Sequence, residues 1–213
     1  MPNVIQRILS EDVLDKTMSL FWEKGYFSIT IEDIIEKTGF NRAAIYKYFG
    51  GKDGLFLAML NRYQLHVTES LTAPLKGGQE KGLGLHNIKL FFHSLSQLHQ
   101  KNFLSNGCFF IATASDLPSH GKSVAKFIGE FIQQLRQLFL NNITAAKKSG
   151  CLKYDGEYIA IADFLVGNVF GLFTLCRSKA PKIVFENQLR GINDFIESIY
   201  QTKLTSKSRG KNK

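Results

Sequence analysis

Residues 40–52 read F-N-R-A-A-I-Y-K-Y-F-G-G-K. On a helix, Ile45 and Phe49 stand four apart and share a face that can enter a core. Arg42, Tyr46 and Lys47 then turn outward, which exposes a tyrosine between two cations. A solvated amphipathic turn accounts for this pattern as well as a nucleic-acid contact does. The flanking sequence has to decide.

Asn41 suits the N-cap of this helix, and Gly50-Gly51 breaks it. Upstream, Thr30 opens another helix with Asp33 three places on, a near capping box. Ile31, Ile34 and Ile35 supply its inner face, and Gly39 stops it. Two short helices joined by K-T-G-F-N at 37–41 have helix-turn-helix spacing, over about residues 30–49. Residues 4–24 read as a preceding helix, with Val13, Leu14, Thr17, Leu20 and Phe21 on one face and Gly25 at its end. A long fourth helix follows over 52–75, and P-L-K-G-G-Q-E-K-G-L-G at 74–84 is the clearest linker. Helical patterns then cover roughly 85–101, 107–117, 120–149, 155–178 and 182–204, with no internal repeat and no strand alternation. The expected fold is all-α. A three-helix head over 4–65 is joined by a long helix to a helical region over 66–204, and 205–213 forms a basic tail expected to be disordered.

The chain of 213 residues can bury a real core without staples. Its net charge of +9 suggests a polyanionic partner. The charge is unevenly placed, because residues 1–65 hold 8 Lys/Arg and 8 Asp/Glu. Cys108, Cys151 and Cys176 show no metal or redox spacing. With an N-terminus too acidic for a signal segment, they point to a reduced cytoplasmic setting. The apolar run after Asp163 ends at Arg177 and reads as a buried helix, so no membrane is expected. Catalytic and nucleotide motifs are missing: no HExxH, no GxSxG and no GxxxxGK[ST]. The five histidines never meet a cysteine or carboxylate at ligand spacing. No enzyme, cofactor or metal site is expected.

The helix-turn-helix remains. A recognition helix buries one face on its own domain and pushes the other into the major groove. Ala43 and Ala44 keep it thin, Arg42 can pair with a guanine, and Tyr46, Lys47 and Lys52 can meet phosphates. Thr30 stands at a helix start, where free amides favour a phosphate. With Asn41 and Tyr48 these residues make up the expected DNA-contacting set.

Residues 20–60, LFWEKGYFSITIEDIIEKTGFNRAAIYKYFGGKDGLFLAML, strongly resemble the N-terminal DNA-binding domain of the TetR family of bacterial transcriptional regulators. The resemblance rests on Phe21…Lys24-Gly25-Tyr26, Thr30…Asp33-Ile34, Lys37-Thr38-Gly39, Ile45-Tyr46…Phe49 and Lys52-Asp53…Leu55. Ile29, Asn41 and Gly50-Gly51 depart from the usual pattern. N-G-C-F-F-I-A-T-A-S-D-L at 106–117 loosely resembles the opening of the sixth helix in one branch of the family.

The resemblance implies a homodimer on a palindromic double-stranded operator, most often a repressor, released by a small-molecule effector held in the second domain. A regulator without an effector is the alternative. Candidate effector contacts are Phe92, His93, Phe109, Phe110, Thr113, Asp116, Phe127, Phe131, Phe164 and Asn168, although plain core packing explains any one of the phenylalanines as well. The fourth helix is expected to be the only element that touches both halves, with Trp22 inside the head. Gly167, Asn168 and Gly171, on a face continued by Ile161, Leu165, Leu172 and Cys176, are expected at the dimer interface. Ile183, Leu189, Ile192 and Ile196 are expected to join them there. Cys108, at a helix start, reads either as a sensor thiolate or as an inert core thiol.

Overall fold

The computed structural model describes residues 10–77 and 84–201. The expected tail, the middle of the expected linker and residues 1–9 lie outside the described residues.

Helix α1 (Glu11–Lys24) starts where Ser10, in extended backbone, accepts a hydrogen bond from the Val13 amide. The first helix is therefore not continuous from residue 4, because a serine cap followed by Glu11 and Asp12 fixes its start. Its inner face buries Leu14, Thr17, Met18, Leu20 and Phe21. In α2 (Ile31–Thr38) the capping box is complete: Thr30 accepts from the Asp33 amide at 3.1 Å, and Asp33 accepts from the Thr30 amide at 2.7 Å. Gly39, at φ 75°, ends the helix in the left-handed region. Helix α3 starts as Arg42–Ala44, capped by Asn41, and continues as a π turn over Ile45–Phe49.

Helix α4 runs without interruption from Lys52–Tyr63 through a second π turn, Gln64–Thr68, to Glu69–Lys76. The expected boundary at residue 65 thus falls inside one continuous helix. A Cβ on Gly54 would stand 1.8 Å from the Phe49 carbonyl oxygen, so only glycine lets α4 begin this close to the end of α3. Arg62, 7% exposed, reaches from α4 to Glu11 at 2.6 Å and to Asp15, and ties α1 to α4.

The second half comprises α5 (Gly84–Gln100), α6 (Phe109–Ser115), a 3₁₀ turn (Leu117–Ser119), α7 (Lys122–Lys148), α8 (Tyr158–Arg177) and α9 (Lys182–Ser198). Helices α7 and α8 begin two and three residues inside the sequence estimates, and α9 ends six residues inside. Helix α7 packs along α8 and α5, and α9 closes over α8 and α5. Asn142 donates to the Leu75 carbonyl at 2.8 Å and accepts from Asn87 at 3.0 Å, a buried polar knot joining α4, α5 and α7. Among the described residues there is no strand, only an antiparallel bridge between Leu152 and Tyr200.

Helix α8 is long and apolar enough to cross a membrane. It packs instead as a bundle helix, burying Ile161, Ala162, Leu165, Val169, Leu172, Phe173 and Cys176. Its Asp163 accepts two bonds from Arg136 of α7, at 2.5 and 2.9 Å.

Candidate nucleic-acid interface

Ile45 is fully buried and Phe49 packs edge-on against buried Phe40 at 5.8 Å, which fixes the inner face of α3. Arg42, Ala43, Tyr46 and Lys47 are exposed as that face requires, and Ala44 and Tyr48 are half-buried. The Arg42 guanidinium donates to Glu32 of α2 at 2.5 Å, a pair invisible in the sequence motif. That bond holds the Glu32 carboxyl below its ordinary range and raises Arg42. Lys47 lies 5.2 Å from the centre of the Tyr48 ring.

Thr30 and Asn41 are structural before they are anything else. The Thr30 hydroxyl donates to Asp33 at 2.8 Å while accepting the Asp33 amide, and Asn41 accepts from Ala44 at 3.1 Å. Lys52 sits 4.1 Å over the Tyr26 ring, and its pKa is lowered by burial. The Tyr26 hydroxyl donates to Asp53, and burial together with that bond pushes its pKa up to about 12. This arrangement offers a helix face of one guanidinium, one ammonium, one phenol and two small residues, carried on a capped and packed scaffold. Such a face fits a DNA groove.

Residues 13–59 match the family model described as bacterial regulatory proteins, tetR family. The HTH-type transcriptional repressor ComR of Escherichia coli K12 is 42% identical over 124 residues, 58% of this chain. The chain spans only 57% of that repressor's length in the alignment. A TetR-family regulator from Cytophaga hutchinsonii superimposes with a TM-score of 0.79 at 19% identity, covering 95% of this chain and 100% of that one. The regulator CifR, in a cysteine mutant complexed with 26 bp operator DNA, gives a TM-score of 0.69 at 17% identity, covering 90% and 96%.

The head of the chain, residues 13–59, is thus of the TetR family. Behind this TetR-type head the candidate effector contacts do not converge on one cavity. Phe109 and Phe110 are buried, and Phe110 packs against Phe131 at 4.6 Å and Phe127 at 5.4 Å. The Thr113 hydroxyl donates to the Phe109 carbonyl at 2.9 Å. Phe92 stacks on Phe139 and, with His93, lines an α5–α9 groove, where His93 bonds Gln97. Asp116 is exposed. Phe164 is 44% exposed and stacks on Phe195, and Asn168 meets Phe164 and Gln188. A cavity of about 20 Å³ lies instead among Thr68, Leu71, Phe91, Cys108, Ile111, Phe131 and Phe173.

The Cys108 thiol is fully buried, and burial pushes its pKa up, which opposes thiolate formation. Tyr63 packs on Trp22 at 5.0 Å and on Phe110 at 5.0 Å.

Helix α4 is not the only bridge between the two halves. The Trp22 indole donates to the Asn106 carbonyl at 3.2 Å, so this tryptophan belongs to the junction. Arg177, at the end of α8, donates to the Trp22 carbonyl at 2.9 Å and to the Asn106 carbonyl at 3.1 Å. His120 stacks on Phe56 at 5.1 Å, and Tyr26 and Phe27 flank it. These contacts join residues far apart in sequence, and no local pattern announces them.

Proposed function

We propose that this chain is a sequence-specific DNA-binding repressor that works as a homodimer on a palindromic operator and releases it when a small molecule enters the second half. The observation that carries this reading is the α3 face. Arg42, Ala43, Tyr46 and Lys47 point outward from a helix anchored by Ile45 and Phe49. The repressor ComR and the operator-bound CifR support it by similarity. A repressor of this kind works where the chromosome is, in the cytoplasm. The uncovered apolar strip of Phe164, Ile183 and Val184 supports the dimer, because apolar surface on adjacent bundle helices is covered by a symmetric copy.

The small body cavity favours a second reading, in which DNA or a protein partner alone sets activity. Footprinting on the DNA upstream of the protein's own gene, across a salt series, tests the first part. A protected palindrome with steep salt dependence is expected, and no protected site overturns the reading. Calorimetry of candidate effectors with and without operator separates the two versions. An effector-released repressor loses effector affinity on DNA by the same factor as it loses DNA affinity with effector.

A further inference from the structure

His120 reaches into the head from the second half. It follows the 3₁₀ turn Leu117–Ser119, donating its amide to the Leu117 carbonyl at 3.0 Å, and the next residue, Gly121, caps α7. A backbone fixed on both sides presents the imidazole in one direction. The ring lies flat on Phe56 of α4, with planes 8° apart and centres 5.1 Å apart. Tyr26 and Phe27, in the link between α1 and α2, flank it at 5.1 and 5.0 Å. Phe56 is itself 1% exposed and packs edge-on against Phe21 of the head and Phe109 of α6. One histidine of the second half thus plugs a three-ring socket on the head.

A cleft of about 300 Å³ opens along this contact, with Asp53, Ser119, Lys122 and Ser123 beside the rings, so a proton can reach the imidazole without unfolding either half. Charged groups face the ring from each element around it. Asp53 of α4 and Asp116, just past α6, favour the imidazolium. Lys122 of α7 and Lys52 of α4, which lies 4.1 Å over the Tyr26 ring, are cations that oppose it. Asp53 is already engaged by the Tyr26 hydroxyl, whose pKa of about 12 keeps it protonated. Burial outweighs the two carboxylates and holds His120 below its ordinary range.

We propose that His120 is a positioning residue that docks the DNA-reading head on the second half, and that gaining a proton releases it. Docked, the imidazole is held among three rings and stays neutral. Undocked, it stands in water and takes a proton in the ordinary range, about pH 6.5. Docking is therefore complete above that range and is lost as the pH falls below it. One proton weakens docking by at most about tenfold per pH unit. A palindrome needs two α3 helices held about 34–36 Å apart, whereas a half-site needs only one. Acid should thus weaken the palindrome and spare the half-site. Residues 1–65 contain no histidine, so no imidazole of the head answers in its place. The consequence for DNA rests on the dimeric-repressor reading above, and the docking itself does not.

The test compares the full-length wild type with His120→Phe, which keeps the stack and takes no proton, and with His120→Asn, which loses the stack at every pH. The imidazole proton signal missing from both variants identifies His120, and NMR follows its titration from pH 8 to pH 5. Amide hydrogen exchange over 25–30 and 117–124 reads docking. Isotherms on the palindrome and on one half-site read its consequence. His120 is expected to titrate below the ordinary range, with exchange rising in acid in the wild type alone and high throughout in His120→Asn. From pH 7.5 to pH 5.5 palindrome affinity should fall several-fold in the wild type, stay level in His120→Phe and be low throughout in His120→Asn. Titration of His120 above the ordinary range overturns the proposal. So does an equal acid loss in His120→Phe, or a His120→Asn that behaves as wild type. Exchange that rises as His120 titrates, with level palindrome affinity, keeps the docking and removes its control of DNA. A wild type that binds no palindrome at pH 7.5 refutes the repressor reading instead, and exchange alone then decides the docking.

Discussion

Arg177 of α8 donates to the backbone carbonyl of Trp22, 155 residues earlier, at 2.9 Å. The same guanidinium nitrogen reaches Asn106 at 3.1 Å, and the Trp22 indole donates to that carbonyl too. The last turn of the first helix is thereby fastened to the last turn of the eighth. A cation at these positions also satisfies carbonyls that the ends of helices leave free.

Replacing Arg177 with methionine keeps the apolar stem and removes the donors. The head should stay folded, because Arg62 and the Phe21–Phe56 contact remain. Trp22 emission should shift as the junction loosens, and operator affinity should fall several-fold through lost orientation of the two heads. Circular dichroism, fluorescence and a binding isotherm on one preparation check this. Unchanged emission and affinity would show that the contact is incidental.

On the groove face, Arg42 must leave Glu32 before it can read a base. Arg42→Ala should cost about 1–3 kcal/mol on the cognate site and relax base preference there. Glu32→Gln frees the guanidinium and removes a negative charge near the phosphates, so it should tighten binding to every sequence. Lys47→Ala should weaken all sequences alike and flatten the salt slope by about one counterion. Titrations at several salt concentrations separate base reading from phosphate contact.

The Asp33 carboxyl is held below its ordinary range, first by the Thr30 amide and then by the Thr30 hydroxyl. Glu32 is lowered too, chiefly by its bond with Arg42. A depressed folded-state pKa adds stability above the unfolded value, and this stability is lost as the pH falls through the folded value. The start of α2 should therefore loosen below about pH 4, the ordinary carboxylate range. Asp33→Asn should reduce that acid sensitivity and lower stability at neutral pH. Thermal melts from pH 3 to pH 7 read both effects, and a mutant that melts in parallel with wild type throughout would refute the role of the box.

Much of the head was legible because its signals are local. Thr30 with Asp33 fixes a cap, and Ile45 with Phe49 fixes a face. The π turns were not legible, since a shifted hydrogen-bond register leaves no mark on apolar spacing. Helix α8 misled for a different reason. It is apolar nearly all round, so periodicity cannot separate its inner from its outer side. Ile161, Leu165, Leu172 and Cys176, expected at a dimer interface, are buried within the chain, and so are Leu189, Ile192 and Ile196 of α9. Phe164, expected at an effector, faces outward beside Gly167.

The corrected face gives a sharper dimer test. Phe164, Ile183 and Val184 are 44%, 54% and 41% exposed, and a Cβ on Gly167 would meet nothing within 4 Å. An arginine at Gly167 therefore fits the isolated subunit, while its charge and bulk would enter any interface built on this strip. Gly167→Arg should give a folded monomer with near-native helicity, since leaving glycine in a helix interior is itself favourable by about 1 kcal/mol. It should lose the palindrome but keep weak, salt-sensitive binding to half-sites, because α3 is untouched. Gly171→Arg is the less clean probe, since a Cβ there already meets the Gln188 amide nitrogen at 2.7 Å. Light scattering on Gly167→Arg decides the matter, and a full dimer that still protects the palindrome would move the interface away from α8.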